Sequence, residues 1–172
     1  MTDVFKEQMV KRQTTSKDRL MKVLIIFGVF ALFIVLSLLI RIPVIVLLIT
    51  AAAGYGAYIL LNRLNREYEY SFTNGELDID VIYNKSSRKR VFSGYVKDFE
   101  IMAHVEDPSH FNSFNSASER LDYSTGVVTD RSYIFLANYK SQRVAIIIEP
   151  NDTMLDAISK VLTRRKFYPK NR

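Results

Sequence analysis

Two long apolar runs, residues 23–40 and 42–61, dominate the first third of the chain, and neither contains a charged side chain. At the helical rise the first run spans about 27 Å, close to the hydrocarbon thickness of a bilayer. Joined, the runs are too long for one crossing and suited to two, predicted at 23–40 and 43–61. Arg41-Ile42-Pro43 separates them. Proline disfavours helix in the residue before it, so Ile42 is expected to be extended, while Pro43 suits the first turn of a second helix. Arg41 would close the first helix, with its stem on apolar surface and its guanidinium at the headgroups. The pattern therefore predicts a transmembrane hairpin over 23–61. A kinked interfacial helix would need an amphipathic pattern that neither run has, and a cleaved signal would be shorter and end at a small-residue site.

After Arg66 the period changes from helical to alternating. "EYEYSF" sets Tyr68, Tyr70 and Phe72 against Glu67, Glu69 and Ser71, the pattern of a half-buried strand. Asn74-Gly75 signals a tight turn, and Leu77, Ile79 and Val81 then alternate with acidic residues. Further strands are expected at 88–93, 99–106, 119–123, 132–139 and 143–149, about seven in all. Beyond Pro150, Asn151 or Asp152 is expected to cap a helix. Its Met154, Leu155, Ile158, Val161 and Leu162 form one apolar stripe, with Arg164, Arg165 and Lys166 at its C-terminal end. Antiparallel strands closed by one amphipathic helix make an all-β sandwich or open barrel. It is expected over 67–166, leaving 167–172 as a basic tail.

Charge places the hairpin. The net charge is +6, and residues 1–66, with nine Lys/Arg and three Asp/Glu, account for all of it; from Glu67 on there are fifteen of each sign. A neutral folded part argues against nucleic acid as a partner. The N-terminal segment 1–22 is basic through Lys6, Lys11, Arg12, Lys17, Arg19 and Lys22, and Arg63 and Arg66 follow the second run, whereas the tip holds only Arg41. The positive-inside rule then puts both termini in the cytoplasm. Cysteine is absent, so no disulfide framework exists.

Signals for chemistry are sparse. No Gly-x-Ser-x-Gly elbow, glycine-rich phosphate loop or cysteine nucleophile is present, and no catalytic residue, cofactor or metal is expected. His104, Glu106, Asp107 and His110 lie close in sequence without the spacing of a helical ligand pair. Two surfaces remain. Lys85, Arg88, Lys89 and Arg90 form a basic hairpin that would meet anionic headgroups or an acidic partner, unless Asp78 and Asp80 on the adjoining strand neutralise it. Phe111 and Phe114 stand in the polar 109–118 loop, where they would bind a partner or fold back on the core. In the hairpin, Ala51, Ala52, Ala53, Gly54, Gly56 and Ala57 offer close packing against Gly28 and Ala31, or a face for homo-oligomerisation.

The run "YEYSFTNGELDIDVIYNKSSRKRVFSGYVKDFEIMAHV" resembles the first half of bacterial pleckstrin-homology-like domains, and "RVAIIIEPNDTMLDAISKVL" resembles their last strand and closing helix. The whole chain is similar to small bacterial membrane proteins in which two transmembrane helices precede such a domain. The resemblance implies a multi-pass protein of the bacterial cell membrane carrying a cytoplasmic pleckstrin-homology-like domain. Its expected role is a binding or scaffolding module for a protein or anionic lipid. The alternatives are a non-catalytic structural subunit of a larger membrane assembly and, more distantly, a membrane-bound enzyme. The phosphoinositide-binding arrangement of the wider superfamily, with basic residues between the first two strands, has no counterpart in Thr73-Asn74-Gly75-Glu76.

Overall fold

Alternating and helical periods sort the chain into two compact units in the computed structural model, which describes residues 4–163 and 166–170. One unit is 14–66; the other joins the residues up to Gln13 with those from Glu67 on. Arg164 and Arg165, expected to complement the closing helix, lie outside the described residues.

The first unit is a helical hairpin. Helix α1 runs Ser16–Leu39 and α2 runs Pro43–Leu64, both long and apolar enough to cross a membrane. Ile42 is extended (φ −98°, ψ 101°) and Pro43 opens α2, as the restriction imposed by proline requires. Helix α1 starts earlier than its apolar run because a capping box precedes it. Thr15 Oγ1 accepts from Asp18 N–H at 3.2 Å, and Asp18 Oδ2 accepts from Thr15 N–H at 2.9 Å. The glycines do not bring the two helices together. Apart from each helix's own backbone, nothing lies within 4 Å of where a Cβ would stand at Gly28, Gly54 or Gly56. Gly54 instead opens into an apolar groove of about 410 Å³ with Phe30, Phe33 and Thr50.

The second unit is a two-sheet domain. Strands β1 (Phe5–Lys11), β2 (Arg66–Thr73), β3 (Glu76–Tyr83) and β4 (Ser87–Tyr95) form a sheet in the order β1-β2-β3-β4. Strands β5 (Ile101–His104), β6 (Glu119–Asp122), β7 (Tyr133–Tyr139), β8 (Gln142–Ile148) and β9 (Phe167–Tyr168) form the other, ordered β6-β8-β7-β5-β9. Helices α3 (Phe111–Asn115) and α4 (Asp152–Val161) complete the domain. Three hairpin turns carry positive φ at both central residues, as two-residue turns compatible with strand twist demand: Asn74-Gly75, Asn84-Lys85 and Lys140-Ser141.

The core lies between the sheets and under α4. Phe99 and Phe135 stack at 4.1 Å between centroids, with Phe92 edge-on to Phe135 at 5.5 Å. Tyr70, Leu77, Ile79, Met102, Ile146 and Ile148 surround them, all fully buried. Asn151 caps α4 by accepting from Met154 N–H at 2.9 Å, and Met154, Ile158 and Leu162 pack on the core while Val161 remains exposed. A second apolar cluster, on the outer face of the second sheet, gathers Ala103, Ile134, Leu136 and Ala145 under Phe114.

Three features depart from the alternation pattern. First, the basic N-terminal segment contains strand β1, which pairs antiparallel with β2 from Phe5↔Thr73 to Lys11↔Glu67. The chain thus leaves the sheet at Lys11, forms the helical hairpin, and rejoins the sheet directly opposite that point. Second, the expected tail contributes β9, parallel to β5, and β6 runs parallel to β8. In the latter case, loop 123–132 passes the end of β8 before entering β7. Glu149 anchors that loop by accepting from Thr129 Oγ1–H at 2.7 Å and Thr125 N–H at 3.3 Å. Third, a short 3₁₀ turn, Val96–Asp98, joins β4 to β5, so the strand expected at 99–106 is confined to Ile101–His104.

Tyr70 ties these pieces together. Its buried hydroxyl donates to Tyr123 O and accepts from Glu149 N–H at 3.3 Å, and burial holds its pKa far above the ordinary tyrosine value. Beside it, Gln8 of β1 donates to Glu149 O at 2.9 Å and accepts from Asn151 N–H at 2.6 Å. One side-chain amide thereby satisfies two backbone groups at the turn that leads into α4.

Candidate functional site

The basic hairpin is largely neutralised within its own sheet. A β-bulge between Ile79 and Asp80 shifts the register of β4, so that Arg90 stands opposite Asp80 and Arg88 opposite Ile82. Without that extra residue both arginines would point to the other face. Arg90 Nη1 meets Asp78 Oδ2 at 2.8 Å and its Nε meets Asp80 Oδ1 at 2.9 Å. Arg88 Nη2 binds Glu69 Oε2, and its Nε lies 3.8 Å from Asp80 Oδ2. The acidic neighbours already visible in the sequence, joined by Glu69, therefore account for both arginines. Lys85 and Lys89 are exposed and, among the described residues, have no carboxylate within ion-pair distance.

The aromatic loop divides. Loop 105–110 leaves β5 and enters α3, whose two phenylalanines face opposite ways. Phe114 is 7 % exposed and belongs to the second apolar cluster, so its side chain is part of the core. Phe111, three residues earlier, is 58 % exposed. Helical spacing alone would have kept the two on one side. Helix α3 has only five residues, and Phe111 sits at its first position, where the chain is still turning out of the preceding 3₁₀ segment Pro108–His110.

The loop that leads into Phe111 lines a cavity of about 530 Å³ with His104, Glu106, Asp107, His110, Tyr168 and Lys170 among others. His104 is buried; its Nδ1 accepts from Glu106 N–H at 3.2 Å, which leaves the proton on Nε2 to be donated to Thr129 O at 3.1 Å. His110 donates from Nδ1 to Asp107 Oδ2 at 2.7 Å, and Asp107 Oδ1 accepts from Ser109 N–H at 2.9 Å. The hydrogen bond from His110, followed by those from Ser109, holds the Asp107 carboxyl below the usual carboxylate range. The His110 ring lies 4.0 Å from that of Tyr168, and Lys170 bridges Asp130 at 2.5 Å and Glu106 at 3.6 Å. Among the described residues no three His, Cys, Asp or Glu side chains are placed to hold a metal ion.

The sequence pattern did not single out this cavity. Asp107 and His110 were visible as neighbours, but Tyr168 and Lys170 arrive from β9 and the residues after it, more than fifty positions away. Only the parallel pairing of β9 with β5 brings them there.

Two packed sheets closed by a C-terminal helix, entered through two apolar helices, are the arrangement expected of a pleckstrin-homology-like membrane protein. A family model for the bacterial PH-like domain (DUF6106) matches residues 2–168. The chain belongs to this family. The match includes β1 and the helical hairpin as well as the two sheets, so the hairpin inserted between β1 and β2 falls within the family's extent. No curated protein and no solved structure matches the chain.

Proposed function

We propose that this bacterial PH-like protein is a membrane-anchored, non-catalytic binding module that holds a protein partner on the surface formed by Phe111 and the adjoining 105–110 loop. The observation that carries this reading is the contrast between the two candidate surfaces. Phe111 is a large apolar side chain left exposed at the end of the loop whose residues 106–110 line a cavity. The two arginines of the basic hairpin, by contrast, are engaged by Glu69, Asp78 and Asp80. Aromatic anchors next to a pocket commonly dominate protein interfaces, with truncation costing about 2 kcal/mol or more. A second reading rests on Lys85 and Lys89, exposed at the turn of that hairpin and without an ion-pair partner among the described residues, which suit an anionic headgroup or an acidic partner.

Purification in mild detergent tests the choice. Phe111→Ser is expected to abolish capture of the stoichiometric partner while the melting temperature stays within a few degrees. Retention of the partner by Phe111→Ser, together with its loss on reversing the charges of Lys85 and Lys89, would transfer the role to the basic hairpin.

Membrane topology follows from the same reading. Both helices cross the bilayer, and both flanks lie in the cytoplasm. The pairing of Lys11 with Glu67 supports this, because strands of one sheet on either side of the hairpin require an even number of crossings. The basic flanks support the cytoplasmic side. The chain lacks cysteine, so single cysteines report cleanly. One at Arg41 is expected to react with an impermeant thiol reagent in intact cells, and ones at Lys6 and Lys97 only after lysis. Labelling at Lys97 from outside would refute the orientation.

A further inference from the structure

Strand β1 is an unusual edge. It ends its sheet, it is seven residues long, and it places Phe5 and Met9, each 58 % exposed, on the outward face. Natural proteins normally blunt such an edge or cover it. Its backbone polarity can be assigned. Val4 N–H donates to Asn74 Oδ1 at 3.1 Å and Val4 O accepts from Asn74 N–H at 3.1 Å, so Val4 faces the β2–β3 side. In an antiparallel ladder the direction alternates, so Lys6, Gln8 and Val10 bond to β2 while the amides of Phe5, Glu7 and Met9 point away from it. Beyond the end of β1, Gln13 N–H bonds Thr125 O at 2.7 Å.

A groove of about 510 Å³ lies between the first residues of β1 and α4. Phe72 and Gly75 form part of its floor, and Val4, Phe5 and Val161, all partly exposed, contribute apolar walls. Three charged residues line it. Asp156 and Lys160 neutralise each other at 2.6 Å, whereas Lys6, among the described residues, has no carboxylate within ion-pair distance. The groove thus combines outward backbone donors and acceptors, apolar walls and one uncompensated ammonium.

We infer that this groove takes up an extended segment of a partner protein, which adds a strand to β1, sets apolar side chains between Val4 and Val161, and places a carboxylate opposite Lys6. Main-chain pairing to a sheet edge provides the affinity in this mode, and the alternate side chains entering the groove provide the selectivity. An acidic residue is favoured over a basic one, because Lys6 is exposed at the groove and would repel a second cation. The inference stands apart from the Phe111 surface, which lies on the loop leading into α3.

The probe is a fluorescein-labelled peptide, Thr-Val-Thr-Glu-Thr-Val-Thr, whose valines and glutamate share one face of a strand, titrated by anisotropy against the full chain in detergent micelles. Saturable binding is expected, weaker by about fivefold or more when the glutamate is replaced by lysine, the scale of an exposed ion pair. Lys6→Glu should invert that preference. Glu7→Pro removes an outward N–H that β2 does not use, so it should abolish binding while leaving the melting temperature unchanged. Phe111→Ser should leave peptide binding intact. Absence of saturable binding, equal binding of both peptides, or loss of binding in Phe111→Ser would each overturn the inference. If Glu7→Pro unfolds the domain, hydrogen exchange decides instead. The peptide must then protect the Phe5, Glu7 and Met9 amides of the unaltered chain, and unchanged exchange there refutes strand addition.

Discussion

Removal of residues 1–13 is expected to unfold the two-sheet domain, although those residues lie on the far side of the helical hairpin in sequence. Strand β1 buries Val10 to 5 % exposure and pairs along the length of β2. Its Gln8 amide satisfies Glu149 O and Asn151 N–H, which would otherwise be stranded at the turn into α4. Burial of a valine is worth about 1.5–3 kcal/mol and each lost hydrogen bond about 0.5–1.5 kcal/mol, before the ladder to β2 is counted. Together these approach the whole stability of a small domain, about 5–15 kcal/mol. A fragment beginning at Glu67 should therefore show a broad, non-cooperative thermal transition by circular dichroism. Because Lys11 lies opposite Glu67, residues 1–13 can be rejoined to the fragment through a link of about five Gly/Ser residues, a common hairpin-loop length. That rejoined chain should unfold cooperatively. If the fragment without β1 melts as sharply and at the same temperature as the rejoined one, the strand is dispensable and this account of it is wrong.

The second large effect separates two phenylalanines three positions apart. Phe114→Ser empties a site enclosed by Ala103, Ile134, Leu136 and Ala145 and leaves a hydroxyl there. Large-to-small changes of this kind cost about 3–5 kcal/mol, and an unpartnered buried hydroxyl adds to that. Phe111→Ser removes an exposed side chain and should change stability by no more than about 0.5 kcal/mol. Urea unfolding of the two variants side by side reads the difference as a shift in midpoint. Comparable midpoints would mean that α3 does not dock on the second sheet through Phe114.

The contrast between those residues also marks where sequence periodicity stops being informative. Over long segments it was sufficient. Charge-free runs of membrane length separated by Arg41-Ile42-Pro43 are seen as two helices with an extended Ile42 between them. The alternation in "EYEYSF" and "ELDIDVIY" is seen as β2 and β3 with Tyr68, Tyr70, Phe72, Leu77, Ile79 and Val81 inward. Asn74-Gly75 forms the turn its residue types require, and Asn151 caps the closing helix. In each case one local rule acts over many residues, or one residue type has a strong conformational preference. The nearness of Arg90 to Asp78 and Asp80 was legible as opposite charges on adjoining hairpin strands, but the bulge at Ile79/Asp80 decided that they share a face.

Short elements and distant pairings were decided by tertiary structure. "FKEQMVK" has no clean alternation, since its edge position leaves Phe5 and Met9 exposed on one face while Val10 alone is buried on the other. What makes it a strand is the free edge of β2, together with the two backbone groups that Gln8 satisfies, and neither is encoded within seven residues. The two-residue strand Phe167–Tyr168 likewise exists because β5 offers an edge, and it carries Tyr168 to His110. Phe111 and Phe114 are the same residue type in the same polar loop, separated by where a single turn of helix meets the second sheet. The helical hairpin, the inward residues of the central strands and the capped closing helix were therefore set by local patterning. The edge strands, the polar cavity and the identity of the exposed aromatic were set by long-range contacts, because a strand or loop too short to bury a face of its own takes its conformation from the surface it meets.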